Sequence, residues 1–225
     1  MHVANKSFIS GCGEYQKTKK ERYGRNDLFR GGLRMKKVCE RMMVLMLLLC
    51  MISVSASAYT PIPSTCTGYT FYSTVEPQAQ TKWCWVASAL NSAKKEYASV
   101  TKQQGNAVYM IKGGLVNEYG TAAETRTAAN YFTDYTKSFS VSGVLSYNYI
   151  CTSVYNQHPI ILGASNGVSG HMVMIHGWGI SETNQQLVFY YDPWPTIGYQ
   201  YCTYAQLLSG SQLGYPYVQS VHIPY

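Results

Sequence analysis

The chain is poor in charge: only 13% of its 225 residues are Asp, Glu, Lys or Arg. The net charge of +7 is also unevenly placed. Residues 1–58 carry eleven Lys and Arg against four acidic residues, which leaves seven of each sign in Tyr59–Tyr225. The basic character therefore belongs to the N-terminal stretch, and binding of nucleic acid by counterion release, which needs a basic surface on the folded part, is excluded as an expectation. No apolar run reaches the roughly 20 residues of a membrane-spanning helix. Internal repeats and low-complexity tracts are absent. No Cys-x-x-Cys or His-x-x-x-His spacing is present, so neither a metal nor another cofactor is expected. Cysteine is scarce after residue 58, with Cys66, Cys84, Cys151 and Cys202 alone.

What is there begins with a leader. Met42–Val54 is apolar, is preceded by Met35-Lys36-Lys37 and Arg41, and is followed by Ser55-Ala56-Ser57-Ala58. A basic start, about a dozen apolar residues and a small-x-small exit are the parts of a secretory signal peptide, with cleavage expected after Ala58. Residues 35–58 are thus read as the signal and residues 1–34 as a start-site artefact or disordered extension. The product, Tyr59–Tyr225, is long enough for one domain with a proper core. It is expected to be secreted, or periplasmic at the cell envelope, with no stable membrane insertion. Four cysteines in an exported chain suggest disulfides, but if Cys84 stays free the other three make one bridge and one spare, and the sequence does not choose the pair.

Residues 59–77 contain Pro61, Pro63 and Pro77 and no helical period, so they read as an extended arm. Helices are expected from Cys84 to about Tyr97, over Lys102–Lys112 ending at Gly113-Gly114, over Thr121–Phe132 with a Thr121/Glu124 capping box, and over Ser146–Gln157. Strands follow: Ile160–Gly163, then His171–Trp178 and Leu187–Asp192 as a hairpin about the Ser181–Gln186 turn. Helices first and an antiparallel sheet after make an α+β fold, with the Cys84 helix packed on the sheet.

Cys84 is where the chemistry concentrates. In the first turn of a helix a thiol feels the positive end of the dipole, which favours thiolate. Taken alone, Cys84 is equally well a small buried hydrophobe. A nucleophile, however, needs a base and a group that orients the base. His171 opens the hairpin just after a Gly turn, and Asp192 closes the partner strand. With the turn near Glu182–Gln185, His171 is expected opposite a residue close to 196, within a few residues of Asp192. His176 competes as the base, but its odd offset from His171 sends it to the other face of the strand, among apolar neighbours. His158 and His222 read as plain surface residues. Gln78 and Gln80 are the side-chain amides available for an oxyanion, alongside the Cys84 N–H. Trp83, Trp85 and Trp194 are either cleft walls or core.

Four blocks, in order and spacing, then carry a resemblance. Gln78 six positions before Cys84, Trp83-Cys84-Trp85-Val86-Ala87-Ser88, Gly170-His171-Met172-Val173-Met174-Ile175 and Tyr190-Tyr191-Asp192-Pro193 together resemble the papain-like cysteine peptidases. The branch they resemble groups bacteriocin leader peptidases with AvrRpt-type effectors. The resemblance spans about residues 74–208, and His158–Gly163 resembles the strand that precedes the histidine. It implies a papain-like fold over 74–225 behind an arm at 59–73. It also implies Cys84 as nucleophile, His171 as general base, Asp192 as orienting residue and Gln78 in the oxyanion hole. Gln80 has no counterpart. Unlike the bacteriocin processors, the chain shows no transporter membrane domain and no nucleotide-binding motif, and unlike papain it leaves no room for a folded prosegment between Ala58 and Gln78.

The expected function is hydrolysis of peptide bonds in a protein or peptide substrate by a secreted cysteine endopeptidase. Without a prosegment, protection of the producing cell falls to a protein inhibitor or to delayed disulfide formation. A Cys–His hydrolase or transferase of cell-wall peptides or side-chain amides would use the same residues. A non-catalytic binding module of the same fold would have no need for all four.

Overall fold

The computed structural model describes residues 59–224. The signal peptide and the stretch before it lie outside the described residues. The expected arm, residues 59–77, carries no helix; a turn closed by the Cys66 N–H donating to the Pro63 carbonyl at 2.9 Å precedes a short strand, β1 (Gly68–Thr70), that the sequence reading did not anticipate. Three helices follow: α1 (Cys84–Glu96), α2 (Gln104–Lys112) and α3 (Ala122–Phe132). After β2 (Ser140–Ser142) and α4 (Tyr147–Tyr155) come β3 (Ile160–Ser165), β4 (Gly170–Ile180), β5 (Gln186–Asp192) and β6 (Gly198–Thr203), then the short α5 (Tyr204–Ser209) and β7 (Tyr217–His222).

The caps explain where the helices begin and end. Thr121 accepts from the Glu124 N–H while the Glu124 carboxylate accepts from the Thr121 N–H, so α3 carries the expected capping box. Ser146 caps α4 through the Tyr149 N–H at 3.2 Å. Gly113, at φ 75°, closes α2 in the left-handed region that glycine tolerates best. Helix α1 differs: Trp83 at its N-cap offers no side-chain acceptor, and Lys94 and Lys95 complement the dipole at the far end.

The strands form one antiparallel sheet in the order β2-β7-β3-β4-β5-β6, with β1 against the second half of β4. Alternation sorts its side chains into two cores. Ile160, Leu162, Val173 and Ile175 face a core closed by Phe71, Ile150, Val154 and Tyr190. Ile161, Met172 and Val221 face the other, filled from the helices by Val86, Leu90, Val108 and Phe132. A fully buried side chain of this size contributes about 1.5–3 kcal/mol, so the docking of α1 on β3 and β4 is a hydrophobic event.

Strand β4 carries a bulge. Ile175 lies opposite Tyr190 and Gly177 opposite Phe189, which leaves His176 as the extra residue. Past the bulge the inward parity shifts, so that Trp178 rather than Gly177 enters the same core as Ile175. The expected hairpin exists, with its turn closed by Ser181 N–H donating to the Gln185 carbonyl at 3.0 Å.

Candidate active site

Cys84 is the first residue of α1 and is only 5% exposed. Its helix is fixed from both sides of the thiol. Trp83 Nε1 donates to the Val116 carbonyl at 2.8 Å and Trp85 Nε1 to the Glu118 carbonyl at 3.1 Å, so the loop between α2 and α3 is tied across the helix start. That loop approaches closely because residue 120 is glycine: a Cβ there would come 2.2 Å from Trp85. Trp83 and Trp85 are thus core, as one of the two readings had it, whereas Trp194 stands 41% exposed in the cleft wall.

The His171 side is set by strand geometry. The β4–β5 ladder ends with Met174 opposite Tyr191, so Asp192 is the next residue beyond the last pair and His171 lies three residues back along β4. This is about two residues off the expected register: the turn end pairs Ile180 with Gln186, one position short, and the bulge at His176 consumes another. Asp192 Oδ1 lies 2.9 Å from His171 Nε2 and also accepts from the Trp194 N–H at 2.8 Å. With Nε2 engaged by Asp192, Nδ1 is the ring nitrogen left for the Cys84 thiol, with which His171 interacts. Burial on its own would pull the imidazole pKa down; the Asp192 hydrogen bond and the Cys84 side chain outweigh it and push it up to about 9.

Packing carries this arrangement across the two layers. Ser88 Oγ, one turn below Cys84, donates to the Met172 carbonyl at 3.0 Å, and Thr125 Oγ1 of α3 donates to the Met172 sulfur at 3.1 Å. The residue next to His171 is therefore held by α1 and α3.

Gln78 is buried beside the approach to α1, but its amide is partly committed. Nε2 donates to the Gln80 carbonyl at 2.8 Å, and Oε1 is buried without a partner. It borders a small cavity of about 210 Å³ behind Trp194 and Pro195, a neighbour of the main cleft. Gln80 serves there through its carbonyl, which also accepts from the Trp83 N–H at 3.1 Å.

The arm around Gln78 is held by two buried amides that the sequence reading missed. Asn91 accepts from the Glu76 N–H at 2.8 Å and donates to the Glu76 carbonyl at 2.9 Å. Gln104 accepts from the Ala79 N–H at 3.0 Å and donates to the Pro77 carbonyl at 2.8 Å. A signal was available for the first: Cys84, Ser88 and Asn91 recur at i, i+4 and i+7, a polar stripe on one helical face. Gln104 shows no comparable pattern.

The other histidines stand elsewhere. His176 is buried, with Nδ1 at 3.1 Å from the Phe71 carbonyl, Nε2 unpartnered and its pKa lowered by burial. His158 and His222 are not the plain surface residues expected. His158 Nδ1 lies 2.7 Å from the buried Glu96 carboxylate. His222 is buried between Ser142 Oγ at 2.9 Å and Tyr149 Oη at 3.0 Å. Both are structural partners that single-residue context could not reveal. Cys66, Cys84, Cys151 and Cys202 are all free thiols here, and burial pushes Cys151 and Cys202 up to about 12.

Cys84, His171 and Asp192 share the wall of a cleft of about 500 Å³. A buried thiol at an uncapped helix start, an imidazole in contact with it and a carboxylate behind the imidazole form an arrangement that can transfer a proton from sulfur to nitrogen and hold the resulting charge.

No family model matches the sequence, and no curated protein matches it. Among solved structures, the chain is similar to the proform of Amb a 11, a cysteine protease and major ragweed pollen allergen, with 14% identity, 77% of this chain and 70% of that chain covered, and a TM-score of 0.50. The bromelain protease of Ananas comosus, in complex with the E64 inhibitor, matches with 12% identity over 72% of this chain and all of its own, at a TM-score of 0.48. The Pseudomonas avirulence protein AvrPphB matches with 10% identity over 65% of this chain and 95% of its own, at 0.32. At such identities the likeness shows the fold alone: the chain has a papain-like α+β fold, helices packed on an antiparallel sheet.

Proposed function

We propose that this papain-like domain is a cysteine endopeptidase, exported by the leader at 35–58, with Cys84 as nucleophile, His171 as general base and acid, and Asp192 as the group that orients His171. The observation that carries the reading is the chain of contacts from Cys84 through His171 to Asp192 at the floor of an open cleft. The four sequence blocks also support the branch that groups bacteriocin leader peptidases with AvrRpt-type effectors.

In this mechanism the Cys84 proton passes to His171 Nδ1 and the thiolate adds to a peptide carbonyl. The developing oxyanion is met by the Cys84 N–H, at a helix start without a side-chain cap, and by the Gln78 amide, which keeps one N–H beyond the bond to the Gln80 carbonyl. The imidazolium returns its proton to the leaving amine. Water then adds to the thioester, its proton again taken by His171, and the acid product departs as the thiol is regenerated. Asp192 fixes the ring through Nε2.

The test is alkylation of the protein with an iodoacetamide probe across pH, with mass-spectrometric location of the adduct and casein digestion on the same sample. Selective labelling of Cys84 below the pH of an ordinary thiol, accompanied by digestion, is the expected result. A folded sample in which Cys84 is unreactive overturns it. Labelling without digestion, combined with turnover of cell-wall peptide fragments, would replace the protein substrate with that one.

A further inference from the structure

Residue order leaves the partner of each remaining cysteine open, and the fold narrows the choice. Helix α4 presents Tyr147, Cys151 and Tyr155 one turn apart on one face, and that face lies along the arm. Tyr155 packs edge-on against Tyr69 of β1, with ring centroids 5.3 Å apart. Tyr147 Oη donates at 2.5 Å to the carbonyl of Gly179, the residue paired with Gly68 across β1 and β4. Cys151 stands between these two contacts and is hydrogen-bonded to the Tyr147 side chain. From the other side, Cys66 closes the turn that leads into β1, and its thiol donates to the Gly68 carbonyl at 3.3 Å. Both sulfurs are thus held around one backbone pair, Gly68 and Gly179, against one core.

The two thiols are also close enough that charge on Cys66 raises the pKa of Cys151. Cys202 stands apart: it lies across from Val188 in the β5–β6 ladder, and burial alone pushes its thiol up. Cys84 faces the other core, at the start of α1 beside His171. Exposure separates the roles of the pair. Cys66 is half-buried and within reach of a dissolved oxidant, whereas Cys151 is 6% exposed and meets only what Cys66 brings to it. Cys66 precedes β1 and has no ladder partner, so it is the member able to shift when a bond of about 2.05 Å is drawn.

We propose that Cys66 and Cys151 are a disulfide site, and that the bond staples the arm leading to Gln78 onto α4 while Cys84 and Cys202 stay reduced. The inference rests on the export proposed above only for its oxidant, a dithiol oxidase or a low-molecular-weight disulfide. The Cys66 thiolate attacks the oxidant RS–SR, one RS⁻ departs, and a mixed disulfide forms on Cys66. The Cys151 thiol then gives its proton to water, attacks the Cys66 sulfur and releases the second RS⁻. Two protein thiols thereby lose two protons and two electrons, and the oxidant is reduced to two thiols. The loop that closes, residues 66–151, contains α1, α2 and α3, and a loop of that length strongly restricts the unfolded chain.

The test takes the full-length protein as Cys84→Ala, which keeps that thiol out of the exchange. The folded sample is oxidised with glutathione disulfide, capped with iodoacetamide under denaturing conditions and mapped by mass spectrometry without reduction. A peptide joining Cys66 to Cys151 is expected, with the thermal midpoint raised by about 5 °C or more over the reduced protein. Adding Cys66→Ser or Cys151→Ser should abolish that rise, and adding Cys202→Ser should keep it. Glutathione trapped on Cys66 with Cys151 still alkylated overturns the pairing, as does a bond from either residue to Cys12, Cys39, Cys50 or Cys202 instead. A joined pair with no rise in midpoint overturns the staple. The same mapping of wild-type protein recovered from the producing cells separates this inference from the export it draws on. Reduced Cys66 and Cys151 there, in a protein that glutathione disulfide does link, leave the pair assigned and sink the export reading.

Discussion

The two halves of the site are held by different physics. The Cys84 half rests on irregular backbone, residues 76–83 and 113–121, around the start of α1, fixed by side chains that reach into it: Asn91 and Gln104 on the arm, Trp83 and Trp85 on the α2–α3 loop. The His171 half is a ladder, in which His171 and Asp192 meet because two strands pair in one register with one bulge. Backbone pairing is distributed over many bonds, so no single side chain is indispensable to it. The irregular half concentrates its order in a few buried amides, and each of those is expensive to lose.

The strongest break with that contrast is chemical rather than structural. Cys84→Ala should abolish peptide turnover, by about 10⁴-fold or more, while the thermal midpoint stays near that of the wild type; retained turnover would remove the scheme. Asp192→Asn should follow, lowering kcat by about 10²–10⁴-fold, because an amide can present the wrong partner to Nε2. A wild-type rate in a folded Asp192→Asn sample would show that the ladder brings these two groups together for structural reasons only.

A sharper comparison of the halves comes from stability. Asn91→Ala leaves both the N–H and the carbonyl of Glu76 without their partner and should cost about 2–3 kcal/mol. For a domain of this size that is a fall of roughly 5–10 °C in Tm. Because the arm leads to Gln78, kcat should drop with KM less affected. Ser88→Ala removes a single bond to a ladder carbonyl, at Met172, and should cost less, about 1 kcal/mol. Equal losses in the two variants would contradict the distinction drawn between the halves.

The His171 half can also be probed through pH. The folded-state pKa of His171 is raised from 6.5 to about 9, so its charged form stabilises the fold fully below about 6.5 and that contribution is lost as pH rises through about 9. The same ionisation should give kcat/KM an alkaline limb near 9. Stability titrations of the wild type and His171→Ala should diverge below that limb and converge above it.

Much of this was legible in advance, for identifiable reasons. The α+β order, the four helices before the main sheet and the β4–β5 hairpin follow from periodicity and caps, which are local: the Thr121/Glu124 box and Gly113 mark helix ends whatever surrounds them. The short strands β1, β2, β6 and β7 were not legible, because at three to six residues they lack both the continuous apolar run that marks β3 and enough alternations to stand out from loop. Cys84, His171, Asp192 and Gln78 could be named from residue type and order, and the tertiary structure brings the first three into contact and leaves Gln78 in a neighbouring cavity, bonded to the Gln80 carbonyl. What the sequence determined by itself is which groups are available and on which elements they ride, since dipole, alternation and capping act within a few residues. What only the tertiary structure decided is the His176 bulge that sets the register and the buried amides that hold the arm. Each of these depends on residues far apart in the chain meeting in a space whose shape no local pattern encodes.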